Sequence, residues 1–198
     1  SVLLSSVLGQ NVGGGRDTIL DFMQRELFDP LGMSSAKPRF DAAGTFIGSS
    51  YVFATARDFA RFGYLYLRDG IWAGRRILPE GWVDFTTQPT PTSQGCYGAH
   101  WWLGGHQPAG TAAGRDTEAD LAACDARYPS RLNPSRLWLR RAWPNSTFIA
   151  HGFEEQVVAV VPSKDVVLVR LGATKEVVLT WEREEFYSSV LACIPDTA

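Results

Sequence analysis

Side chains that bind metals or carry sulfur are scarce in this chain of 198 residues, with three cysteines, three histidines and two methionines. Cys96, Cys124 and Cys193 do not fall at metal-ligand spacing, and His100 and His106 have no partners that do, so the sequence offers no metal site. Long apolar runs are missing too. No stretch approaches the ~18 residues needed to span a bilayer. Nor is there an excess of charge: nineteen basic and twenty-one acidic residues leave a net charge of −2. The densest basic cluster, Arg131, Arg136, Arg140 and Arg141, has acidic counterweights elsewhere, which argues against a nucleic-acid partner. No repeat or low-complexity segment stands out, and Gly13-Gly14-Gly15 reads as a loop. An initiating methionine and a signal peptide are absent as well. The chain opens at Ser1 already inside an apolar helical pattern, and the expectation is that it is the C-terminal part of a longer protein.

What is present suits one soluble globular domain. Hydrophobic residues make up 45% and charged residues 20%, and the length allows a substantial core. Seven Trp and eleven Phe fit a packed core with an aromatic-walled cleft.

The organising stretch is Thr147 to Gly172, TFIAHGFEEQVVAVVPSKDVVLVRLG. Its β-branched runs Phe148 to Ala150, Val157 to Val161 and Val166 to Leu171 are separated by HGFEEQ and by Pro162-Ser163-Lys164-Asp165. Val and Ile favour a pleated surface, and Pro, Ser and Asp favour turns, so the stretch predicts an antiparallel meander. The runs are apolar almost throughout, so helices should cover both faces of the sheet. One helix is expected from Thr180 to Cys193.

Upstream, Ser1 to Gly9 predicts a helix stopping at glycine. Asp17 is placed to cap a second helix running to about Phe28, which Asp29-Pro30-Leu31-Gly32-Met33 should end. A third helix follows Thr55, the expected N-cap, with Asp58 three residues on as a variant capping box and Gly70 after the last turn. Pro79 should open a fourth, short helix running to about Thr87. Tyr97 to Leu103 reads as a strand. Residues 104–146 are polar, rich in Gly, Pro and Arg, and form an expected lid or loop insertion, with a short helix near Thr117 to Ala126. Trp138 and Trp143 either wall a cleft or anchor this loop. Cys96 and Cys124 flank it, and either pair in an oxidising compartment or stay, with Cys193, unpaired thiols.

Several phrases resemble one family. LFDPLGM, TARDFARFG and the run Ala150-His151-Gly152, Gln156, Val161-Pro162-Ser163, Asp165 to Arg170 are similar to serine hydrolases related to class C β-lactamases, penicillin-binding DD-peptidases, esterases and 6-aminohexanoate-dimer hydrolases. The resemblance covers about residues 1–104 and 147–195. It implies an α/β (α+β) fold, an antiparallel sheet flanked by helices, β-lactamase/transpeptidase-like and incomplete at its N-terminus. Residues 1–198 would form a single-domain fragment of that fold. The resemblance also implies a bacterial hydrolase, exported or periplasmic, that needs no cofactor and acts on a small-molecule amide or ester. The form of the third motif looks closer to the esterase and aminohexanoate-hydrolase branch.

In that family a serine in Ser-x-x-Lys attacks a carbonyl, and a strand carrying (Lys/His)-x-Gly helps to hold the oxyanion. This chain has one literal Ser-x-x-Lys, Ser34-Ser35-Ala36-Lys37. Pro38 follows the lysine at once, so the pair cannot occupy successive turns of a helix. There is no Tyr-x-Asn or Ser-x-Asn. The nucleophile is therefore expected upstream, in a missing N-terminal segment of the same protein, and this chain alone should be inactive.

The oxyanion side remains. By spacing, Gly152 matches the motif glycine, which puts Ala150 at the Lys/His position and His151 in the middle; an alternative register puts His151 first. In the former, the Phe153 N–H would be the oxyanion donor and His151 would lie in or beside the cleft. The other reading of His151 is a partly buried histidine bonded to backbone. Glu155 stands where many relatives have glycine. Ser50 and Tyr51 lie in the turn that approaches the active site in relatives, as substrate-binding residues or simply as a turn serine and a packed tyrosine. The rival to the enzyme reading is a non-catalytic binding or scaffolding relative. Absence of the N-terminal elements should also leave apolar helix and sheet surface exposed and solubility poor.

Overall fold

The computed structural model describes residues 1–91, 93, 97–103, 143–174 and 183–195. Residues 104–142 of the expected 104–146 insertion, the helix expected near Thr117, Trp138, His106 and the proposed Cys96–Cys124 pair lie outside them.

Helix α1 (Val2–Val12) runs through Gly9 and ends at Gly13, which takes the left-handed conformation. Gly9 does not stop it, because the residue is buried where a Cβ would lie 3.1 Å from Ile19 Cδ1. Its small size seats α1 on α2 (Arg16–Met23). The N-cap of α2 is Gly15, and Asp17 sits in the first turn, where its charge favours the helix dipole without capping it. The chain then passes through a π-helical turn, Gln24–Phe28, into the short α3 (Asp29–Leu31). Pro30 is tolerated at the start of α3, and Gly32, at φ 67, makes the stop. Val2, Leu3, Leu4 and Val7 on α1 are exposed.

Two short strands, β1 (Lys37–Pro38) and β2 (Val52–Phe53), pair antiparallel. Helix α4 (Ala56–Leu67) follows, with Thr55 as its N-cap accepting from the Asp58 N–H. The Asp58 carboxylate does not reach back to Thr55 as a capping box would. It is 2% exposed and accepts instead from the Ser35 backbone N–H at 2.9 Å and the Ser35 hydroxyl at 2.5 Å. Arg61 donates both to Asp58 and to the Gly32 carbonyl. The Thr55 N–H donates to Ser35 Oγ. The turn after α3 is thereby tied to the start of α4. Burial acts to raise the Asp58 pKa, but the hydrogen bonds from Ser35, then the bond and charge of Arg61, outweigh it and hold the carboxyl below its ordinary value.

Gly70, at φ 77, closes α4 by donating to the Leu65 carbonyl at 2.8 Å. A small hairpin of β3 (Ile71–Trp72) and β4 (Arg75–Arg76) comes next. Helix α5 (Trp82–Thr87) begins after Gly81, later than Pro79 suggested. The expected strand at Tyr97 to Leu103 is only partly formed. Gly98 to His100 turn back on themselves, with the Gly98 N–H donating to the Trp101 carbonyl, and only β5 (Trp102–Leu103) pairs in the sheet. Gly98 is required there, since a Cβ would lie 2.3 Å from the Thr86 carbonyl oxygen.

The main sheet has the order β5-β6-β7-β8, all antiparallel, with β6 (Phe148–Gly152), β7 (Gln156–Val161) and β8 (Val166–Arg170) forming the expected meander. Helices cover both faces. On one face Ile149, Val157, Ala159 and Val161 pack with Tyr187 and Leu191 of α6 (Arg183–Ala192). Trp143 joins this cluster, 4.6 Å from the Tyr187 ring centroid, and is an anchor of the core rather than a cleft wall. On the other face Phe148 and Val160 pack with Trp101, Phe62 and Tyr66, the last two on α4. Helix α4 approaches the sheet closely at Gly63, where a Cβ would lie 2.6 Å from Val167 Cγ1.

Candidate functional site

The third-motif residues lie on β6 and the turn that follows it. Register fixes their faces. Ala150 pairs with Val158 and packs on the α4 side, while His151 pairs with Val157 and shares the α6 side with Ile149. Ala150 and His151 thus address opposite faces of the sheet, as alternate residues of a strand must. On its other edge β6 meets β5 only at Phe148 and Ile149. Among the described residues no strand continues that edge past Ile149.

Gly152 pairs with Gln156 across a three-residue 3-10 turn, Phe153–Glu155. Phe153 is 78% exposed. Glu154 and Glu155 both take left-handed backbone, at φ 55 and φ 66. This conformation costs a residue with a Cβ roughly 1–2 kcal/mol, so something must hold it. A clamp from β7 and β8 does so. Arg170 Nη1 donates to the carbonyls of Glu155 at 2.8 Å, Glu154 at 3.2 Å and Gly172 at 3.2 Å, and its Nη2 donates to Thr174 Oγ1 at 2.5 Å. The Gln156 amide donates to the carbonyls of Glu154 at 3.2 Å and Gly172 at 2.5 Å, and accepts from the Gly172 N–H at 3.0 Å. Four backbone groups, the carbonyls of Glu154, Glu155 and Gly172 and the Gly172 N–H, find partners this way.

The turn also brings a carboxylate to the histidine. His151 Nε2 lies 3.4 Å from Glu155 Oε2, and Glu155 is only 7% exposed. At that separation the contact is longer than an optimal hydrogen bond. His151 is thus partly buried beside an acid, a partner that sequence reasoning did not identify. The one signal for it was the pair of glutamates in a turn where glycine is expected.

Ser50 and Tyr51 belong to the β1–β2 hairpin, and their described contacts stay within it. The Ser50 N–H donates to the Ile47 carbonyl, the Tyr51 carbonyl accepts from the Arg39 N–H, and the Tyr51 ring lies 6.4 Å from that of Phe53. Both residues are exposed, and Tyr51 has φ 65. Gly48 just before them sits against α1, where a Cβ would meet Ser5 Oγ at 2.2 Å. Ser34 lies in a turn and Lys37 in β1, so this Ser-x-x-Lys is not helical. Among the described residues no group of His, Cys, Asp or Glu is placed to hold a metal ion, and no helix is long and apolar enough to cross a membrane.

No curated protein matches the chain. A solved structure from Bacteroides dorei DSM 17855, assigned provisionally to the β-lactamases by its description, aligns at a TM-score of 0.48 and 13% identity. The alignment covers 86% of this chain and 50% of the other, so the chain spans about half the length of that protein. The family model for β-lactamase matches residues 3–177, which hold the whole main sheet and, but for Val2, the helices before it. On that match the chain belongs to the β-lactamase family.

Proposed function

We propose that this chain is the C-terminal portion of a serine hydrolase that cleaves a small-molecule amide or ester through an acyl-enzyme. A serine from a preceding segment of the same protein attacks the carbonyl carbon and gives up its proton to a neighbouring base. The leaving amine or alcohol departs with a proton, and water releases the acyl group. Two observations support the reading: among the described residues the pairing of β6 with β5 stops at Ile149, and Gly152 and Phe153 just beyond it are exposed. In this reading the Phe153 N–H supports the developing oxyanion, Gly152 keeps the approach open, and Ala150, Ser50 and Tyr51 contact the substrate. The β1 setting of Lys37 supports a nucleophile other than Ser34.

The test is covalent labelling with a fluorophosphonate, followed by peptide mapping. The 198-residue chain should remain unlabelled, and the full-length gene product should be labelled at a serine preceding Ser1. Labelling at Ser34 would overturn the assignment of the nucleophile. A full-length product that binds ligands but takes no label would move the reading to a non-catalytic binding relative.

A further inference from the structure

We propose that the Phe153 side chain sets the acyl preference of this site. Its ring receives the apolar acyl chain of the substrate, so medium-chain acyl donors are favoured over acetyl. The inference rests on the acyl-transfer reading above, in which the Phe153 N–H supports the oxyanion.

A single exposed phenylalanine is ordinary on a protein surface. What distinguishes Phe153 is the backbone beneath it. The side chain is 78% exposed, yet it opens a turn whose next two residues hold strained left-handed backbone, at φ 55 and φ 66. Arg170 and Gln156 donate to the carbonyls of those two residues, and the Gln156 amide also bonds Gly172 through both its carbonyl and its N–H. The fold therefore bears conformational strain to fix the point from which an apolar ring projects into solvent, and strain of this kind gathers at ligand sites. With the backbone already ordered, the ring has only its two side-chain torsions to lose on contact, so little ordering cost opposes binding. Gly152 beside it is also exposed and carries no side chain to cover the ring.

Covalent geometry couples the ring to the oxyanion position. A phenylalanine ring centre lies roughly 4–5 Å from the nitrogen of its own residue. A carbonyl carbon whose oxygen accepts from that N–H lies within roughly 4 Å of the same nitrogen. Substituents on that carbon are therefore within reach of the ring. The leaving group departs after the first step, whereas the acyl chain stays on the carbon until water releases it, so the acyl chain is the substituent held throughout.

A methylene removed fully from water is worth roughly fourfold in binding; one ring face shields about half of each and spans about three, which gives a preference of about eightfold. The experiment uses the full-length gene product with p-nitrophenyl hexanoate and p-nitrophenyl acetate. The readout is the ratio of the two kcat/KM values, which does not depend on the fraction of folded, active enzyme. Wild type should prefer the hexanoate. Phe153→Ala, which keeps the backbone N–H, should lower the ratio by about eightfold, and Phe153→Leu, which keeps an apolar side chain, by no more than about twofold. A wild-type preference for acetate, a ratio unchanged in Phe153→Ala, or a fall as large in Phe153→Leu as in Phe153→Ala overturns the role of the ring while leaving acyl transfer intact. Hydrolysis of neither ester by wild type overturns the acyl-transfer reading itself, and this inference with it.

Discussion

Replacing Asp58 with asparagine removes a buried negative charge while keeping its shape. The carboxylate accepts three hydrogen bonds, from the Ser35 N–H, the Ser35 hydroxyl and Arg61. Asparagine can still accept from the Ser35 N–H through its one oxygen, but its amide group then faces the other donors. Removing one partner of a buried pair costs about 3–5 kcal/mol, because the other charge is stranded. Arg61 is one-third exposed and can turn to water, so the cost falls at or below the lower end of that range, about 2–3 kcal/mol. With a urea m-value of about 2 kcal/mol/M, the unfolding midpoint at pH 7 should fall by about 1–1.5 M. The pH dependence gives a sharper check. The folded-state pKa of Asp58 lies below the ordinary aspartate value, so its contribution is fully present above the unfolded pKa and is lost as pH falls through the folded one. The gap between wild type and Asp58→Asn should therefore be constant from pH 7 to about pH 5 and should close as the pH falls below the ordinary carboxylate range. A variant as stable as wild type at pH 7, or a gap that persists at low pH, would refute the view of Asp58 as an ionised structural hub.

Further outcomes follow from the sheet and its turn. Gly63→Ala should destabilise by about 1 kcal/mol, as about 2 kcal/mol of overpacking against Val167 outweighs about 1 kcal/mol of helix propensity. In the double variant with Val167→Ala the two effects should be non-additive by at least about 1 kcal/mol in chemical denaturation; additivity would mean that α4 does not approach β8 as described. Glu154→Gly, at φ 55, should raise the melting temperature by about 1–3 °C, strain relief being partly offset by the entropy of glycine in the unfolded chain, and a lowered melting temperature would argue against the left-handed turn. Arg170→Lys replaces a forked donor with a single ammonium, so amide exchange at Phe153–Gln156 and Gly172–Thr174 should quicken while the rest of the sheet keeps its protection.

The parts of the fold legible in the sequence were those set by local patterning. Val157 to Val161 and Val166 to Arg170 are strands because β-branched residues alternate across a sheet covered on both faces, and their near-continuous apolarity announced that cover. The Thr55 cap was legible because its partner is three residues away. What escaped depends on partners distant in sequence. Asp58 looks like a capping residue until Ser35 docks on it, and Gly9 looks like a stop until Ile19 fills the space beside it. Glycine-like backbone at Glu154 and Glu155 cannot be read from residue type, because it is imposed by Arg170 and Gln156 from the neighbouring strands. The strand that carries Ala150, His151 and Gly152 was legible in the sequence; the approach of Glu155 to His151 required the turn.

The bidentate bridge between Arg68 at the end of α4 and Asp165 in the β7–β8 turn joins residues 97 positions apart. The closure it marks passes through the stretch between Leu103 and Phe148. The entropy of closing such a loop grows only with the logarithm of its length, so doubling it costs about 0.6 kcal/mol. Lengthening or shortening that stretch therefore leaves the packing of α4 on the sheet almost untouched. Trp143, packed on Tyr187 in the core, sets the limit of that freedom, so graft or deletion experiments should keep it in place.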